Sequence, residues 1–368
     1  MSKIVVGMSG GVDSAVAAYL LKEQGHEVVG VTLRTWLDAE TEVSKCCEID
    51  DAREISRKLG IPYHVHNVGA DFRKYVTEPF VAEYLAGRTP NPCIECNPHV
   101  KWEGMIYTTH LFHADYVATG HYANIVQLPN GRYTVKQATA PGKDQTYMLY
   151  KLSQEQLAKT IMPLGTYSKD EVREIARQAG IPVAEKADSQ EICFVEDGHY
   201  ADYIRDHAND GTIADESNAN NTNSKVDVLG EGNFVDTDGN ILGKHKGIIH
   251  YTIGQRKGLG IALGHPIFVK EIRPETNDVV LSEEDAIFTK EAVCKDVHYM
   301  SIPDLKVGEE IPARVKIRYR HAGESAVLRR DGDGVRIYFE NAVRAATPGQ
   351  SAVFYDDDNC VIGGGIII

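Results

Sequence analysis

Two hydrophobic patterns follow one another along the first half of the chain, and together they predict alternating strands and helices. Short apolar runs predict buried strands, at residues 4–6, 26–33, 63–68 and 116–119. Apolar residues at helical spacing predict amphipathic helices between these runs, at residues 15–23, 48–59 and 72–85. Strands that alternate with helices are typical of a parallel sheet covered on both faces, whose ligand binds at the carboxyl ends of the strands.

Turn signals dominate the pattern further along the chain. The stretch at residues 125–137, interrupted by Pro129-Asn130-Gly131, predicts a hairpin. Ser168-Lys169-Asp170-Glu171 is a capping box, which predicts a helix that ends at Gly180. From Phe234 onward Asp-Gly pairs separate short strands and no long helix is indicated. The last ~100 residues therefore predict a small antiparallel barrel.

A polar tract marks the change between these patterns. Residues 206–225 are rich in Asn, Asp, Ser and Gly and cannot bury enough apolar area to order themselves, so we expect a mobile loop. A chain of 368 residues is also too long for one core. We predict an α/β protein with a Rossmann-like parallel-sheet domain at residues 1–200, a small central domain at 201–272 and an antiparallel β-barrel at 273–368.

Composition limits the compartment and the partners. The sequence has neither an apolar run of ~20 residues nor a signal-peptide pattern, so we expect a soluble cytoplasmic protein without a membrane partner. In that reducing compartment the seven cysteines argue against a structural disulfide framework. The net charge of −14 disfavours indiscriminate nucleic-acid binding, although it leaves room for a local basic surface.

The first stretch with chemical meaning is Gly7-Met8-Ser9-Gly10-Gly11-Val12-Asp13-Ser14, between the first strand and the first helix. Adjacent glycines let backbone N–H groups converge on an anion, and the start of a helix adds positive potential. Ser9 and Ser14 supply hydroxyl donors, and Asp13 is placed to hold Mg²⁺ against phosphates. The alternative is an ordinary tight turn, but the combined pattern favours a nucleotide phosphate site.

Two cysteine motifs are the next candidates. Cys93 and Cys96 lie in a loop that Pro90 and Pro92 fix, and Cys193 lies about a hundred residues later. If Cys96 opens the following helix, the helix N-terminus lowers the pKa of its thiol and makes it a better nucleophile. C-x-x-C spacing also suits a metal, and single cysteines are often inert core residues. Cysteines without such a setting are interpreted as structural, namely Cys46, Cys47, Cys294 and Cys360.

A local basic surface is indicated near the C-terminus. Four basic residues alternate along one predicted strand, which places them on one face: Arg314, Lys316, Arg318 and Arg320. Such a stripe neutralises phosphates, and Tyr319 is suited to stack on a base. The alternative is an ordinary solvated strand face.

The glycine-rich stretch resembles the PP-loop of the N-type ATP pyrophosphatases, since no Lys follows the glycines as in a Walker motif. The whole chain resembles the tRNA-specific 2-thiouridylases. Motifs in the order of that family run almost to the C-terminus: residues 87–97, 118–122, 143–145, 188–194, 251–260, 318–320 and 347–350.

The resemblance implies a reaction, in which ATP and Mg²⁺ serve to adenylate O2 of the wobble uridine in tRNA before sulfur replaces it. It implies that Cys193 carries sulfur as a persulfide, delivered by a cysteine desulfurase or a sulfur-relay protein, and that Cys96 is the partner nucleophile. Nucleotide contacts would come from the PP-loop, Leu33 and Gly120. Contacts to tRNA would come from Asn91, Pro92, Cys93, Lys143, Asp144, Gln145, Arg318 and Tyr319.

Cys93 departs from the resemblance, because many members of the family carry Asp there. A third thiol could complete a [4Fe–4S] cluster on Cys93, Cys96 and Cys193. The alternative is that Cys96 and Cys193 cycle between thiol, persulfide and disulfide. Two rival functions also stay open: a PP-loop enzyme that adenylates a small metabolite, and a nucleotide sensor without turnover.

Overall fold

The computed structural model describes residues 1–35, 49–140, 142–186, 192–195, 198–209 and 227–368. Several predicted features lie outside the described residues: the Asn-rich run at 217–224, Cys46 with Cys47, and residues 188–191 of the second cysteine motif.

The N-terminal part of the chain alternates strands and helices as predicted. Its strands are β1 (Lys3–Gly7), β2 (Glu27–Arg34), β3 (Tyr63–Asn67), β4 (Tyr116–Ala118), β5 (Ala123–Gln127), β6 (Tyr133–Gln137) and β7 (Thr160–Ile161). Its α-helices are α1 (Val12–Glu23), α2 (Ile49–Leu59), α3 (Gly69–Phe72), α4 (Glu78–Leu85), α5 (Pro92–Cys96), α6 (Glu103–Phe112), α7 (Gln154–Ala158), α8 (Lys169–Gln178) and α9 (Tyr200–Asn209). The π-helical segments Arg73–Thr77 and Asn97–Trp102 join α3 to α4 and α5 to α6, and Thr146–Met148 is a 3₁₀ turn. The helix predicted at 72–85 is therefore not one regular α-helix.

The central feature of this part is a five-stranded parallel sheet in the order β3-β2-β1-β4-β7. Successive side chains of β1 point to opposite faces. Ile4 and Val6 join the core under α1, whereas Val5 joins the core under α6. Both faces are buried, as expected for strands that connect through helices.

A second sheet follows the N-terminal part. It contains β8 (Gly232–Val235), β9 (Ile241–His245), β10 (Phe268–Arg273) and β11 (Asp278–Ser282), in the order β10-β11-β8-β9. The 3₁₀ turn Ile248–His250 lies beyond β9. The sheet packs on a small core of its own that includes Phe234, Val269 and Leu281.

The C-terminal part is a closed antiparallel barrel in the order β12-β15-β14-β13-β16-β17, preceded by the 3₁₀ turn Glu284–Ile287. Its strands are β12 (Phe288–Tyr299), β13 (Glu310–Lys316), β14 (Glu324–Asp331), β15 (Gly334–Arg344), β16 (Ser351–Tyr355) and β17 (Val361–Ile367). The predicted fold class is confirmed. The domain boundaries at 200/201 and 272/273 stay predictions.

The barrel packs directly on the N-terminal part through a shared core. Tyr147 donates a hydrogen bond to the carbonyl of Ser351 over 2.8 Å, and the Tyr150 hydroxyl lies 3.0 Å from the Ser351 hydroxyl. Thr134 on β6 donates to the carbonyl of Val361 over 2.7 Å. These contacts are buried and fix the barrel against β6 and the segment that follows it. None of the helices in the described part of the chain has the length and apolar character needed to span a bilayer.

Candidate active site

The turn between β1 and α1 has the backbone geometry of an anion site. Gly10 has a φ of 76°, which glycine adopts without strain. Gly11 precedes α1, and no side chain among the described residues caps this helix start. The Ser14 hydroxyl accepts a hydrogen bond from the Ser9 N–H over 3.2 Å and donates to the Gly11 carbonyl over 3.0 Å. The loop is thus held open by its own serines, with helix N–H groups left for a ligand.

Gly120 packs against this loop more closely than any larger residue could. A Cβ atom at Gly120 would lie 2.6 Å from the carbonyl carbon of Asp13 and 2.7 Å from the backbone N of Ser14. The residue follows β4, the neighbour of β1 in the sheet. The glycine therefore lets the end of β4 touch the backbone of the PP-loop.

Asp13 is engaged by two side chains from distant parts of the sequence. Lys169 Nζ lies 2.8 Å and 2.9 Å from its two carboxylate oxygens, and the Tyr122 hydroxyl donates to Oδ1 over 2.7 Å. Lys169 is the first residue of α8, whose predicted capping box between Ser168 and Glu171 is present. The capping box therefore fixes the helix start that brings this lysine to the PP-loop.

The structure corrects the predicted position of Cys96. The helix begins earlier, at Pro92, and Cys96 is its last residue. Asn91 caps the helix by accepting a hydrogen bond from the Cys93 N–H over 3.2 Å. Cys93, and not Cys96, is therefore the thiol at a helix N-terminus. Cys96 is buried, with 6% of its surface exposed.

The loop before α5 is held by residues from the two later parts of the chain. The Thr89 N–H donates to the Pro348 carbonyl over 3.0 Å, and the Gln350 side chain donates to the Thr89 carbonyl over 2.7 Å. The Thr89 hydroxyl also donates to Thr252 Oγ1 over 3.2 Å. A Cβ at Gly349 would lie 2.9 Å from the Thr89 nitrogen. The motifs near residues 252 and 347–350 thus position the cysteine loop.

Cys193 lies in a short turn that one aromatic side chain anchors. The ring of Phe194 makes edge contacts with Phe72, Phe80 and Tyr203, at centroid distances of 5.5, 5.3 and 5.3 Å. Cys193 itself is exposed. The anchored turn presents an accessible thiol beside the buried one.

One cavity of about 280 Å³ brings most of the predicted site residues together. Its wall runs from the PP-loop to the cysteines and includes Gly7, Met8, Ser9, Asp13, Ser14, Leu33, Pro92, Cys93, Cys96, Gly120, Gln145 and Cys193. The carboxyl ends of β1, β2 and β4 form its floor, which is where the ligand of a parallel sheet was predicted to bind. Gly10, Gly11, Val12 and Asn91 support this wall from adjacent positions.

The predicted contact residues 143–145 lie beside the cavity, but they have structural partners as well. The Asp144 carboxylate accepts hydrogen bonds from the Thr146 hydroxyl at 2.8 and 2.9 Å and lies 3.9 Å from Lys316 Nζ. Gln145 accepts from the Tyr122 N–H over 2.9 Å. Lys143 is half-buried. Asp144 thus orders this loop through contacts within the protein.

The predicted basic stripe is only partly correct. Strand β13 ends at Lys316, so Arg318 and Arg320 lie in the turn that follows. Arg314 donates to Gln137 and Asn359, at 3.1 and 2.7 Å, and is therefore used within the protein. The turn leaves Arg320 exposed and Arg318 half-buried.

Tyr319 in this turn faces the site. Its ring contacts Tyr147 at a centroid distance of 6.2 Å. Burial and the charge of Asp144 raise the pKa of Tyr319, and Lys143 and Cys93 are close enough to act on it as well. The turn after β13 therefore lies within electrostatic range of Cys93, which lines the cavity.

Family models match in three consecutive segments. Residues 2–197 match a model described as a tRNA methyl transferase HUP domain, residues 223–283 a tRNA methyl transferase PRC-barrel domain, and residues 289–367 an aminomethyltransferase beta-barrel domain. The tRNA-specific 2-thiouridylase MnmA of Lachnoclostridium phytofermentans is 52% identical, over 100% of both chains. The enzyme of that name from Clostridioides difficile is 49% identical, over 99% of this chain and 98% of its own. The chain belongs to the tRNA-specific 2-thiouridylase family.

Solved structures resemble this family member less closely. A U34-tRNA thiolase NcsA from Methanococcus maripaludis with its [4Fe-4S] cluster gives a TM-score of 0.35 at 18% identity, over 57% of this chain and 67% of its own. A 4-thiouridine synthetase–RNA complex with bound ATP gives 0.32 at 20% identity, over 52% and 45%.

The described side chains and backbone groups at the site of this family member suit ATP better than a metal cluster. The family uses ATP with Mg²⁺, and the open helix start and glycine backbone suit its phosphates. Among the described residues, no group of three or more His, Cys, Asp or Glu side chains is arranged to hold a metal ion. The three cysteines share a cavity, but as placed here they do not fit a cluster.

Sequence reasoning missed three residues that this family member brings to the site: Lys101, His121 and Lys169. Burial, aided by the positive charge of Lys101, lowers the pKa of His121 to about 3, so its ring is neutral at pH 7. His121 follows the strand end at Gly120, and that position was the available signal. Lys101 and Lys169 carried no local signal, because the first lies in a helix and the second in a capping box.

Proposed function

We propose that this chain is a tRNA-uridine 2-sulfurtransferase that acts on the wobble uridine of cytoplasmic tRNA, with ATP as the activating substrate. The observation that carries the proposal is the shared cavity, which places the PP-loop and Cys93, Cys96 and Cys193 on one wall. A phosphate site and thiols within one enclosure suit a reaction that activates an oxygen and then replaces it with sulfur.

The first step is adenylation of the uridine. O2 attacks the α-phosphorus of ATP, the bond from that phosphorus to the bridging oxygen breaks, and pyrophosphate leaves with the electron pair. The N3 proton of the uridine passes to solvent. The N–H groups at the start of α1 hold the departing phosphates. Mg²⁺ bound with ATP would neutralise phosphate charge. Asp13 would hold it through a carboxylate lone pair that Lys169 and Tyr122 leave open.

The second step delivers sulfur. Exposed Cys193 takes sulfur as a persulfide from a cysteine desulfurase or a sulfur-relay protein, because a partner protein can reach it. The terminal sulfur attacks C2, and AMP leaves with the electron pair of the C2–O bond. The Cys96 thiolate then attacks Sγ of Cys193, which forms a disulfide and frees the 2-thiouridine. An external thiol reduces the disulfide for the next cycle.

The tRNA lies along the cysteine end of the cavity in this proposal. Tyr319, Arg318 and Arg320 approach it from the barrel, and Lys143 from the N-terminal part. Aromatic and basic side chains around a pocket suit a nucleotide that is turned out of its stack. A small-metabolite substrate would leave these side chains and the thiols unused.

One assay tests the proposal. We expect the protein, ATP and an unmodified tRNA transcript to release AMP and pyrophosphate, and a persulfide donor to add a 2-thiouridine detectable by nucleoside mass spectrometry. A transcript with cytidine at the wobble position is the matched control and should release none. AMP release that needs only a small-molecule acceptor would support the rival enzyme, and no release of AMP would support the sensor.

A further inference from the structure

The wall of the cavity between the PP-loop and the cysteines is largely apolar. It includes Val31, Phe72, Val76, Met105 and Phe194. Among the described residues that line the cavity, Lys101 is the only Lys or Arg. The adenylation step develops negative charge in this enclosure, where the low dielectric makes an unbalanced charge expensive.

The π-helical segment Asn97–Trp102 explains how Lys101 reaches the cavity. Cys96 immediately precedes this segment, and Lys101 lies five residues after Cys96. Hydrogen bonds from i to i+5 bring residues five apart towards one face, whereas an α-helix would rotate them apart. Both side chains line the cavity as a result. Such π-helical turns occur often at functional sites.

His121 lies near both Lys101 and the phosphate end of the site. The ring of Trp102, the next residue, lies 5.6 Å from the ring of His121, and the charge of Lys101 acts on that histidine. His121 follows Gly120, which packs on the backbone of Asp13 and Ser14. His121 Nδ1 is held 2.8 Å from the Thr119 hydroxyl. His121 is therefore fixed next to the residue that packs on the PP-loop, within electrostatic range of Lys101.

From these placements we infer that Lys101 is a catalytic residue that contacts a non-bridging oxygen of the α-phosphoryl group during adenylation. The inference rests on the proposed function. The reacting phosphorus has to lie between the PP-loop, which holds the leaving pyrophosphate, and the thiols, which must reach the adjacent C2 atom. Lys101 has the position of such a contact, one π-helical turn from Cys96 and in the same cavity as the PP-loop.

The test compares Lys101→Met, which keeps most of the apolar stem, with Lys101→Arg, which keeps the charge. The readout is the single-turnover rate of tRNA-dependent AMP formation without a sulfur donor. We expect Lys101→Met to lower the saturated rate by about 10²- to 10³-fold, the range for loss of one charge-stabilising donor. ATP affinity should change much less, because the PP-loop binds the other phosphates. Lys101→Arg should recover most of the rate, and exposed Lys58→Met is the matched control.

A second readout distinguishes contact from a structural role. Replacing one non-bridging α-oxygen by sulfur gives two diastereomers of ATPαS, and a cation on one oxygen makes the wild type discriminate between them. We expect Lys101→Met to lose much of this discrimination while its thermal unfolding stays close to that of the wild type. If Lys101→Met unfolds, Lys101→Gln takes its place.

Normal rates and unchanged discrimination in Lys101→Met, with an active wild type, would overturn this inference alone. A wild type that releases no AMP in response to tRNA would overturn the proposed function and the inference together.

Discussion

Lys169 Nζ lies within 2.8 and 2.9 Å of the two carboxylate oxygens of Asp13, across 156 residues of sequence. The lysine side chain is only 10% exposed, and that of Asp13 is 32% exposed. The ion pair therefore ties the start of α8 to the PP-loop. An aspartate that sequence reasoning assigned to Mg²⁺ is held by a lysine in the structure.

Lys169→Met should therefore affect both stability and the first chemical step. The variant leaves the Asp13 carboxylate without its cation, and we expect a loss of about 2 kcal/mol in the free energy of unfolding. We also expect tRNA-dependent AMP release to fall by about tenfold or more, because the PP-loop aspartate loses its fixed orientation. Urea unfolding and an adenylation assay measure the two effects.

The double variant Asp13→Asn with Lys169→Met is the informative control. It removes both charges, so stability should return towards the wild-type value while adenylation stays low. Asp13→Ala alone should abolish adenylation, and it should also destabilise the protein because it removes the carboxylate that Lys169 contacts through both oxygens. Full adenylation in Asp13→Ala would show that the first step requires neither Mg²⁺ binding by this carboxylate nor its ion pair with Lys169.

Substitution of Cys193, the proposed persulfide carrier, should separate adenylation from sulfur transfer. Cys193→Ser should block sulfur incorporation but keep ATP-dependent adenylation, because activation precedes sulfur attack. Nucleoside mass spectrometry and AMP release, measured on the same sample, check both results. Cys294→Ala is the control, since Cys294 is fully buried in the barrel and burial raises the pKa of its thiol to about 12. Thiolation by Cys193→Ser would move the persulfide to another cysteine, with Cys96 as the next candidate.

These residues show how far the sequence could predict the site. The PP-loop was predictable because strand, glycines and helix are adjacent in sequence, and the capping box at Ser168 because it is local. The pairing of Lys169 with Asp13 could not be predicted, because it depends on how α8 packs beside α1. The start of α5 could in principle have been predicted, because Asn91 suits the N-cap and Pro92 suits the first helical position.

The basic stripe failed for a different reason. Alternation of Arg314, Lys316, Arg318 and Arg320 implies one face only while the strand continues, and β13 ends at Lys316. Lys316 is then close to Asp144, and Arg314 binds Gln137 and Asn359. A period of two cannot show where a strand stops or which charges the protein itself neutralises.

Arg318 and Arg320, in the turn after β13, remain the candidates for phosphate contacts. Replacing both with Ala should weaken tRNA binding and reduce the slope of log affinity against log salt, by about one per lost contact. Binding isotherms at several salt concentrations measure the slope. Arg329→Ala changes the barrel charge at an exposed position and serves as control. If the slope is unchanged in the double variant, Arg318 and Arg320 make no phosphate contacts and the turn is an ordinary solvated surface.

Cys93 decides between a relay of two thiols and a metal cluster. Its N–H is capped by Asn91 at the start of α5, a position where a carboxylate is favoured by the helix dipole. Cys93→Asp should therefore fold, and it should keep sulfur transfer from a persulfide donor, since only Cys96 and Cys193 are needed. A relay of two thiols also predicts that protein purified anaerobically is colourless and free of iron, which iron analysis and visible absorption check. Cys93→Ala is the matched control for loss of the thiol without gain of a charge. Iron bound in the wild type, lost together with thiolation in both Cys93 variants, would replace the two-thiol relay with a cluster.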